Sequence, residues 1–456
     1  MRLLLALSRH NRRAHKASES ARTPASGSQI SIESREDLIV LLSEASTLEH
    51  MVMCEYLFAS FSLKRNKSEG LTARQLDAVR RWEGTITTVA VQEMLHLALV
   101  NNLLTSIGAS PYFDHPNFPQ PSKYFSPNVQ LALLPFGEHA LRHYLYLERP
   151  EGMSIERVPG LELPANLQGR SNSDEKKGGG DILPRGQYFS TVGSLYRGIE
   201  EGFRHLVDKY GEKSVFVGAG LAQATEDYFG WPELVAVRDL SSAIKAIEEI
   251  VTAGEGARGD WEHSHFGMFL KIFNEHSELK KSDPDFVPAR AVVAAYVRPP
   301  SGTTDLPMIT DPTTARMADL FNASYGLAIQ VLSRFFAGAD RDKAELKSLS
   351  DAAVGTMAQV LKPLGVMLTT MPVGANLPGV KAGATFELQH RDYLLPHRRE
   401  ARAILGERLG ELTDYCSDLA NTASSIRGEL KSIENSLRKM ATSLGRSKRR
   451  APPRKR

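Results

Sequence analysis

Several helical segments of this chain carry acids in the middle of their apolar faces, and that limits what it can fold into. The segment TITTVAVQEMLHLALVNNLLTSIG (residues 85–108) has Glu93 as its single acid, with His96 three positions on. At about 100° per residue, Glu93 falls in one stripe with Trp82, Ile86, Val89, Leu97, Val100, Leu104 and Ile107, and His96 shares that face. In the preceding helical segment, Glu36 to about Leu63, Glu49 lines up with Leu38, Leu42, Ala45, Val52, Met53, Tyr56 and Leu63. Glu44 and Glu55 fall off that stripe, where surface acids belong, and His50 lies about 100° from it. A later segment puts Glu200 with Phe189, Tyr196, Phe203 and Val207, while Glu201 points outward.

A carboxylate in an apolar core is costly unless it is paired, protonated or bound to a metal. For one such residue, a raised-pKa acid or a salt-bridged core group is the simpler account. Three acids on three helices, one with a histidine at i+3, call for a joint explanation. The stretch AGEGARGDWEHSHFGMF adds to it: Glu262 and His265 repeat the Glu-x-x-His spacing, and His265 shares a stripe with Trp261, Met268, Phe269 and Ile272. Glu255, just before a Gly-rich break, is the competing acid. Two Glu-x-x-His elements plus one Glu from each of two further helices make the carboxylate-bridged two-metal site of ferritin-like bundles. Four carboxylates and two imidazoles suit two Fe ions, with Mn as the alternative, better than zinc or copper. Tyr56 and Tyr196 lie on the same inward stripes and are the candidate catalytic side chains, able to donate a hydrogen bond or an electron; core packing with a satisfied hydroxyl is the plainer reading of each. His139, His143, His205, His390 and His397 share no spacing, and no haem-attachment motif is present, so haem is the less favoured cofactor.

Composition agrees with a globular chain: 456 residues, 42% hydrophobic, 24% charged, net charge +3. Much of the positive excess sits in SRHNRRAHK and GRSKRRAPPRKR, read as solvated ends rather than nucleic-acid or membrane contacts. Two cysteines allow no disulfide framework and no cysteine-type zinc cluster, which favours a reducing, cytoplasmic setting. MRLLLAL is too short an apolar run for a signal-peptide core or a membrane span.

The pattern predicts a mainly α fold: a ferritin-like four-helix bundle with a long insertion, followed by a C-terminal helical domain. The expected boundaries are a disordered extension over 1–34, the bundle over 35–280 with its insertion at about 109–187, a linker over 281–312, the helical domain over 313–441 and a basic tail over 442–456. Within these, VQLALLPF and SVFVG are expected as short strands, and 397–441 as one helix. The aromatic, Pro-rich PYFDHPNFPQPSKYF is expected either to roof a pocket for a planar substrate or simply to cover the bundle. The C-terminal helices are expected to pack on the bundle or to form a homodimer.

The segments LSEASTLEHMVMCEYLFASFSLK, QEMLHLALVNNLLTSIGASPYF, TVGSLYRGIEEG and AGEGARGDWEHSHFGMF resemble the ferritin-like domain of the iminophenylpyruvate dimer synthases, a family that includes large enzymes of the violacein and rebeccamycin pathways. LFNASYGLAIQVLSRFF, MAQVLKPLGVMLTTMPVG and AGATFEL resemble the region that follows that domain. The resemblance spans about residues 37–430. It implies Glu49, Glu93, His96, Glu200, Glu255 and His265 around the metal, and it favours Glu255 where plain spacing favours Glu262. Ser194 departs from the family pattern, in which an acid or amide is common at that position. The resemblance further implies an iron-dependent oxidoreductase of specialised metabolism, acting on a small aromatic amine- or imine-type molecule with O2 or peroxide as oxidant, with the oxidative coupling of imines known in the family as one form of that chemistry. The alternative is a ferritin-like protein that binds iron without organic chemistry.

Overall fold

The computed structural model describes residues 30–445 except 122–128, 154, 156–186, 219, 255, 257–260, 299–305, 338–342, 390–393 and 395–396. Two long antiparallel helices form its spine: α1 (Arg35–Ser62) and α2 (Ala73–Ser106). Each begins on a capping box. Ser34 accepts from the Asp37 amide and Thr72 from the Gln75 amide, while the side chains of Asp37 and Gln75 reach back to the cap residues. The other two sides of the bundle are each supplied by two shorter helices. One side has α3 (Glu138–Leu147) and α4 (Val192–Tyr210), and the other has α5 (Leu240–Gly254) and α6 (His265–Ser282). Helix α4 packs on α1 and α5, α3 packs on α6, and α2 touches both α5 and α6. Both composite sides break at the same level, so the ends of α3 and α5 and the starts of α4 and α6 open onto one point of the core.

From Leu48 to Tyr56 every residue of α1 is buried. That corrects the reading of Glu55 and His50 as residues off the buried face. The insertion and the C-terminal helices wrap the side of α1 that an isolated four-helix bundle would leave to solvent. Glu55 is held there by the Ala132 amide at 2.7 Å and by His143 Nε2 at 3.3 Å, which fastens the insertion to α1.

The insertion contributes a two-residue antiparallel pairing of Gln120–Pro121 with Gln130–Leu131. SVFVG is not a strand. Glu212–Val215 forms a single helical turn whose Ser214 and Val215 carbonyls accept from Arg35. Ile30 and Ile32, assigned from sequence to the extension, lie against Gly198 and Gly202 of α4 so closely that a Cβ on either glycine would sit 2.4–2.6 Å from them.

Beyond the bundle, α7 (Pro312–Phe336) starts on an Asp311 cap with proline in its first turn. It is followed by α8 (Lys343–Thr356), a π-helical turn over Met357–Leu361, and α9 (Lys362–Leu368). The region expected as one helix from 397 is two, α10 (Arg398–Thr422) and α11 (Arg427–Gly445), packed as a hairpin. Helices α7, α8, α10 and α11 pack on one another, and α9 docks on α1. No helix among the described residues is long and apolar enough to cross a membrane.

Candidate metal centre

Where the two composite sides break, five polar side chains converge. Glu49 comes from α1, Glu93 and His96 from α2, Glu148 from the residue that ends α3, and His265 from the first position of α6. All are buried. Glu93 stands between the two imidazoles: its Oε2 is 2.9 Å from His96 Nδ1 and its Oε1 is 2.8 Å from His265 Nδ1. Glu49 Oε2 lies 3.5 Å from His96 Nδ1, and Glu148 Oε2 lies 3.7 Å from His265 Nδ1. The imidazole rings stack at 5.4 Å. Each outer carboxylate is held by a tyrosine hydroxyl: Tyr196 donates to Glu49 Oε1 at 2.6 Å, and Tyr56 donates to Glu148 Oε1. A cavity of about 20 Å³ lies among these groups, walled by Leu48, Val52, Leu147, Val192 and Ile250. That is room for ions or a water molecule and not for an organic molecule.

The titration behaviour follows from this crowding. Burial pushes Glu49 up to about 7, with Glu93 adding to the shift and His96 opposing it. Glu148 is raised for the same reasons, burial first and Glu93 second. Burial alone would lower His96, but Glu93 and Glu49 outweigh it and raise the imidazole to about 9. Against the same penalty, Glu93 and Glu148 raise His265 to about 10. Burial would raise Glu93, yet His265 and His96 hold it far below the usual carboxylate range. Tyr56 and Tyr196 are raised well above the usual phenol value by burial, then by Glu148 and Glu49 respectively. The charge balance of the cluster therefore rests on protons at His96 and His265. Among the described residues, no lysine or arginine pairs with Glu49, Glu93 or Glu148.

This donor set fits a pair of divalent ions. Glu93, Glu49, Glu148, His96 and His265 would hold them, and the ions would replace the imidazole protons as the positive charge. His265 Nδ1 supports that fit. It is buried and 2.8 Å from Glu93, but the approach does not meet hydrogen-bond geometry, as expected of two groups converging on a shared centre rather than bonding each other.

Glu49, Glu93, His96 and His265 come together, with Tyr56 and Tyr196 directly behind them. Glu200 does not join them: it is partly exposed and paired with Arg204 at 2.7 Å. The reason is the glycine pair on α4. Ile30 and Ile32 press on Gly198 and Gly202, which centres the buried face on Leu195, Ile199 and Leu206 and leaves Glu200 at its margin. Glu262 is exposed, ahead of α6, and outside the cluster. Glu255 lies outside the described residues. Glu148 was missed, although its signal was present: it continues the stripe of Leu141 and Tyr144 at i+7 and i+4, both fully buried.

Pro111, Phe113 and Asp114 of the aromatic loop line a separate cavity of about 580 Å³ with Asn322, Glu387 and Arg408. It shares no lining residue with the carboxylate cluster.

A family model described as ferritin-like matches residues 42–274. Dichlorochromopyrrolate synthase of Lentzea aerocolonigenes is 25% identical over 84% of this chain and 39% of its own length. The 2-imino-3-(indol-3-yl)propanoate dimerase of Chromobacterium violaceum is 25% identical over 81% of this chain and 36% of its own length. The chain thus spans less than two fifths of the curated relatives it matches. A crystal structure of a ferritin like protein from Caulobacter vibrioides covers 77% of this chain and 99% of its own, with 18% identity and a TM-score of 0.46.

Proposed function

The chain belongs to the ferritin-like family, and on that premise we propose that it is an oxidoreductase that uses a pair of iron ions, with manganese as the alternative, to oxidise a small aromatic amine- or imine-type molecule of specialised metabolism. The observation that carries this reading is the meeting of Glu49, Glu93, Glu148, His96 and His265 in one buried spot with no lysine or arginine partner among the described residues. Buried carboxylates without such partners need cations of another kind. The substrate class follows that of the Chromobacterium violaceum relative, a dimerase of an indolyl 2-imino acid.

Bound iron would supply the two-electron oxidation that these side chains cannot perform themselves. The protein's share is positional. Glu93 holds the His96 ring through a hydrogen bond at 2.9 Å, and Gln92 Oε1, 3.2 Å from Nε2, holds the His265 ring. The Tyr196 and Tyr56 hydroxyls pin the outer carboxylates, so that Glu49 and Glu148 each present their other oxygen to the cavity. Leu48, Val52, Leu147, Val192 and Ile250 keep bulk water out, which strengthens every charge interaction inside. The organic substrate is placed outside this small cavity.

The test is metal analysis coupled to oxygen consumption. Iron at about two per chain, with oxygen uptake that depends on an added aromatic amine or 2-imino acid, supports the enzyme. Iron without such turnover, with either O2 or peroxide, leaves an iron-binding protein. A chain that retains no iron or manganese after loading removes the proposal.

A further inference from the structure

A second cluster of ligating atoms lies on another side of α1, distinct from the carboxylate centre. His50 and Cys54, four residues apart and so on one helix face, meet His115 from the loop after α2 and Tyr325 from α7. All four are buried. The ligating atoms of His50, Cys54 and His115 lie within 4.8 Å of one another. The Tyr325 hydroxyl sits among them, 2.5 Å from His50 Nε2, 2.7 Å from His115 Nε2 and 3.5 Å from Cys54 Sγ.

Counting protons shows that hydrogen bonding alone does not satisfy this cluster. His115 Nδ1 lies 2.8 Å from the Pro116 carbonyl, which can only accept, so that nitrogen carries the proton and Nε2 presents a lone pair. Tyr325 has a single proton and gives it to His115. His50 Nε2 faces the same oxygen, so either His50 donates from Nε2 and its buried Nδ1, which has no hydrogen-bond partner, is left as a lone pair, or its proton sits on Nδ1 and two imidazole lone pairs face one hydroxyl. With a cation on Nε2, His50 takes the other tautomer, and its Nδ1–H points toward the nearby Phe113 backbone.

We propose that His50, Cys54 and His115, with the Tyr325 oxygen as fourth donor, form a binding site for one borderline-soft divalent ion of the zinc type, separate from the carboxylate centre. Two imidazole nitrogens and a thiolate are ligand types that zinc takes, and the Tyr325 oxygen would bring the number to the four of its tetrahedral sites. Binding releases the thiol proton of Cys54, and the thiolate offsets one of the two positive charges. The Tyr325 oxygen, which now faces both Nε2 atoms, would turn to the ion as a neutral phenol that keeps its proton. The four donors come from the bundle, from its insertion and from the C-terminal helices, so the ion would tie these three parts together.

The test uses the full chain, stripped with a chelator and titrated with Co(II). Cysteine ligation gives a thiolate-to-cobalt charge-transfer band in the near ultraviolet, which carboxylate and imidazole ligands do not. The sequence has two cysteines, so the assignment can be made with two variants. The expected result is a band with the intensity of one thiolate-bound Co(II) per chain that is displaced by Zn(II), is lost in Cys54→Ser and His115→Ala, and survives in Cys416→Ser and in Glu93→Gln. The survival in Glu93→Gln separates this site from the iron reading, whose failure would leave the band untouched. Absence of the band in the unaltered chain, or its persistence in Cys54→Ser or His115→Ala, would overturn the proposal.

Discussion

Glu93 and His265 approach to 2.8 Å across the bundle although 172 positions separate them in the chain, and the other oxygen of the same carboxylate reaches His96 at 2.9 Å. One side chain thus sets the spacing of both imidazoles. Glu93→Gln keeps the shape and removes the charge between them. Bound iron should fall from about two per chain to near zero, while the far-ultraviolet circular dichroism of this mainly helical chain stays the same. Iron content unchanged in this variant would remove Glu93 from the centre.

Metal uptake should depend on pH with a definite sign. At pH 8, His96 and His265, raised to about 9 and about 10, still carry protons, and both must lose them to bind an ion. Loading a chelated sample at that pH should therefore release about two protons per chain into a weakly buffered indicator solution. Apparent affinity should climb with pH until about 10 and should fall further below about 7, where Glu49 also takes up a proton.

Chelated protein should show the matching trend in stability. The folded pKa values of His96 and His265 lie above the ordinary 6.5, so their stabilisation is complete below that value and is lost as pH rises through about 9 to 10. Glu49, raised from 4.5 to about 7, adds a penalty that grows between those values. Both act in the same direction: the folded chain holds more protons than the unfolded one, and stability declines with pH. Iron-loaded protein should lack most of this slope. Thermal melts of the two forms from pH 5 to pH 10 measure it.

Two acids separate what the sequence revealed from what it did not. Glu49, Glu93, His96 and His265 were legible because helical periodicity on α1, α2 and α6 fixes which side chains turn inward. Glu200 obeyed the same rule and was misplaced, since the rule follows large apolar residues and treats Gly198 and Gly202 as neutral, whereas Ile30 and Ile32 use them as the contact. Glu148 sat at the end of a short helix inside an insertion that looked irregular, so its stripe drew no notice. The second cluster needed tertiary structure: His115 and Tyr325 meet 210 positions apart. The contrast can be measured. Glu148→Gln should lower iron affinity by about 10- to 100-fold or more. Glu200→Gln should leave iron content unchanged and cost no more than about 0.5 kcal/mol, as for an exposed i,i+4 pair.

The two tyrosines should behave as positioning residues for the carboxylates. Tyr196→Phe and Tyr56→Phe each remove one hydroxyl from a buried carboxylate oxygen. Each should retain most of its iron and lose about 1–3 kcal/mol of stability, the cost of an unsatisfied buried acceptor. Substrate-dependent oxygen uptake should fall more than iron content does. Equal losses of iron and turnover would mean that the hydroxyls act only through metal retention.

The docking of the C-terminal helices on the bundle depends on close approach at glycine. A Cβ on Gly365 of α9 would lie 2.4 Å from Phe61 Cε2 and 2.5 Å from Cδ2, on a ring that is itself buried at the end of α1. Gly383 stands in the same relation to Phe58, at 2.3 Å from Cε2. Both rings are buried, so relief of the contact must shift a packed ring or the backbone that carries the glycine. Helix propensity alone would make Gly365→Ala slightly stabilising, by up to about 1 kcal/mol, but overpacking of this kind costs about 1–3 kcal/mol and should prevail. Gly326→Ala, in α7 with nothing within 4 Å of the added carbon, is the matched control and should be neutral or mildly stabilising. Chemical denaturation of both variants would show whether the C-terminal helices are held by this contact. Equal midpoints for the two would mean that the interface yields at no cost and that the close approach does not anchor the domain.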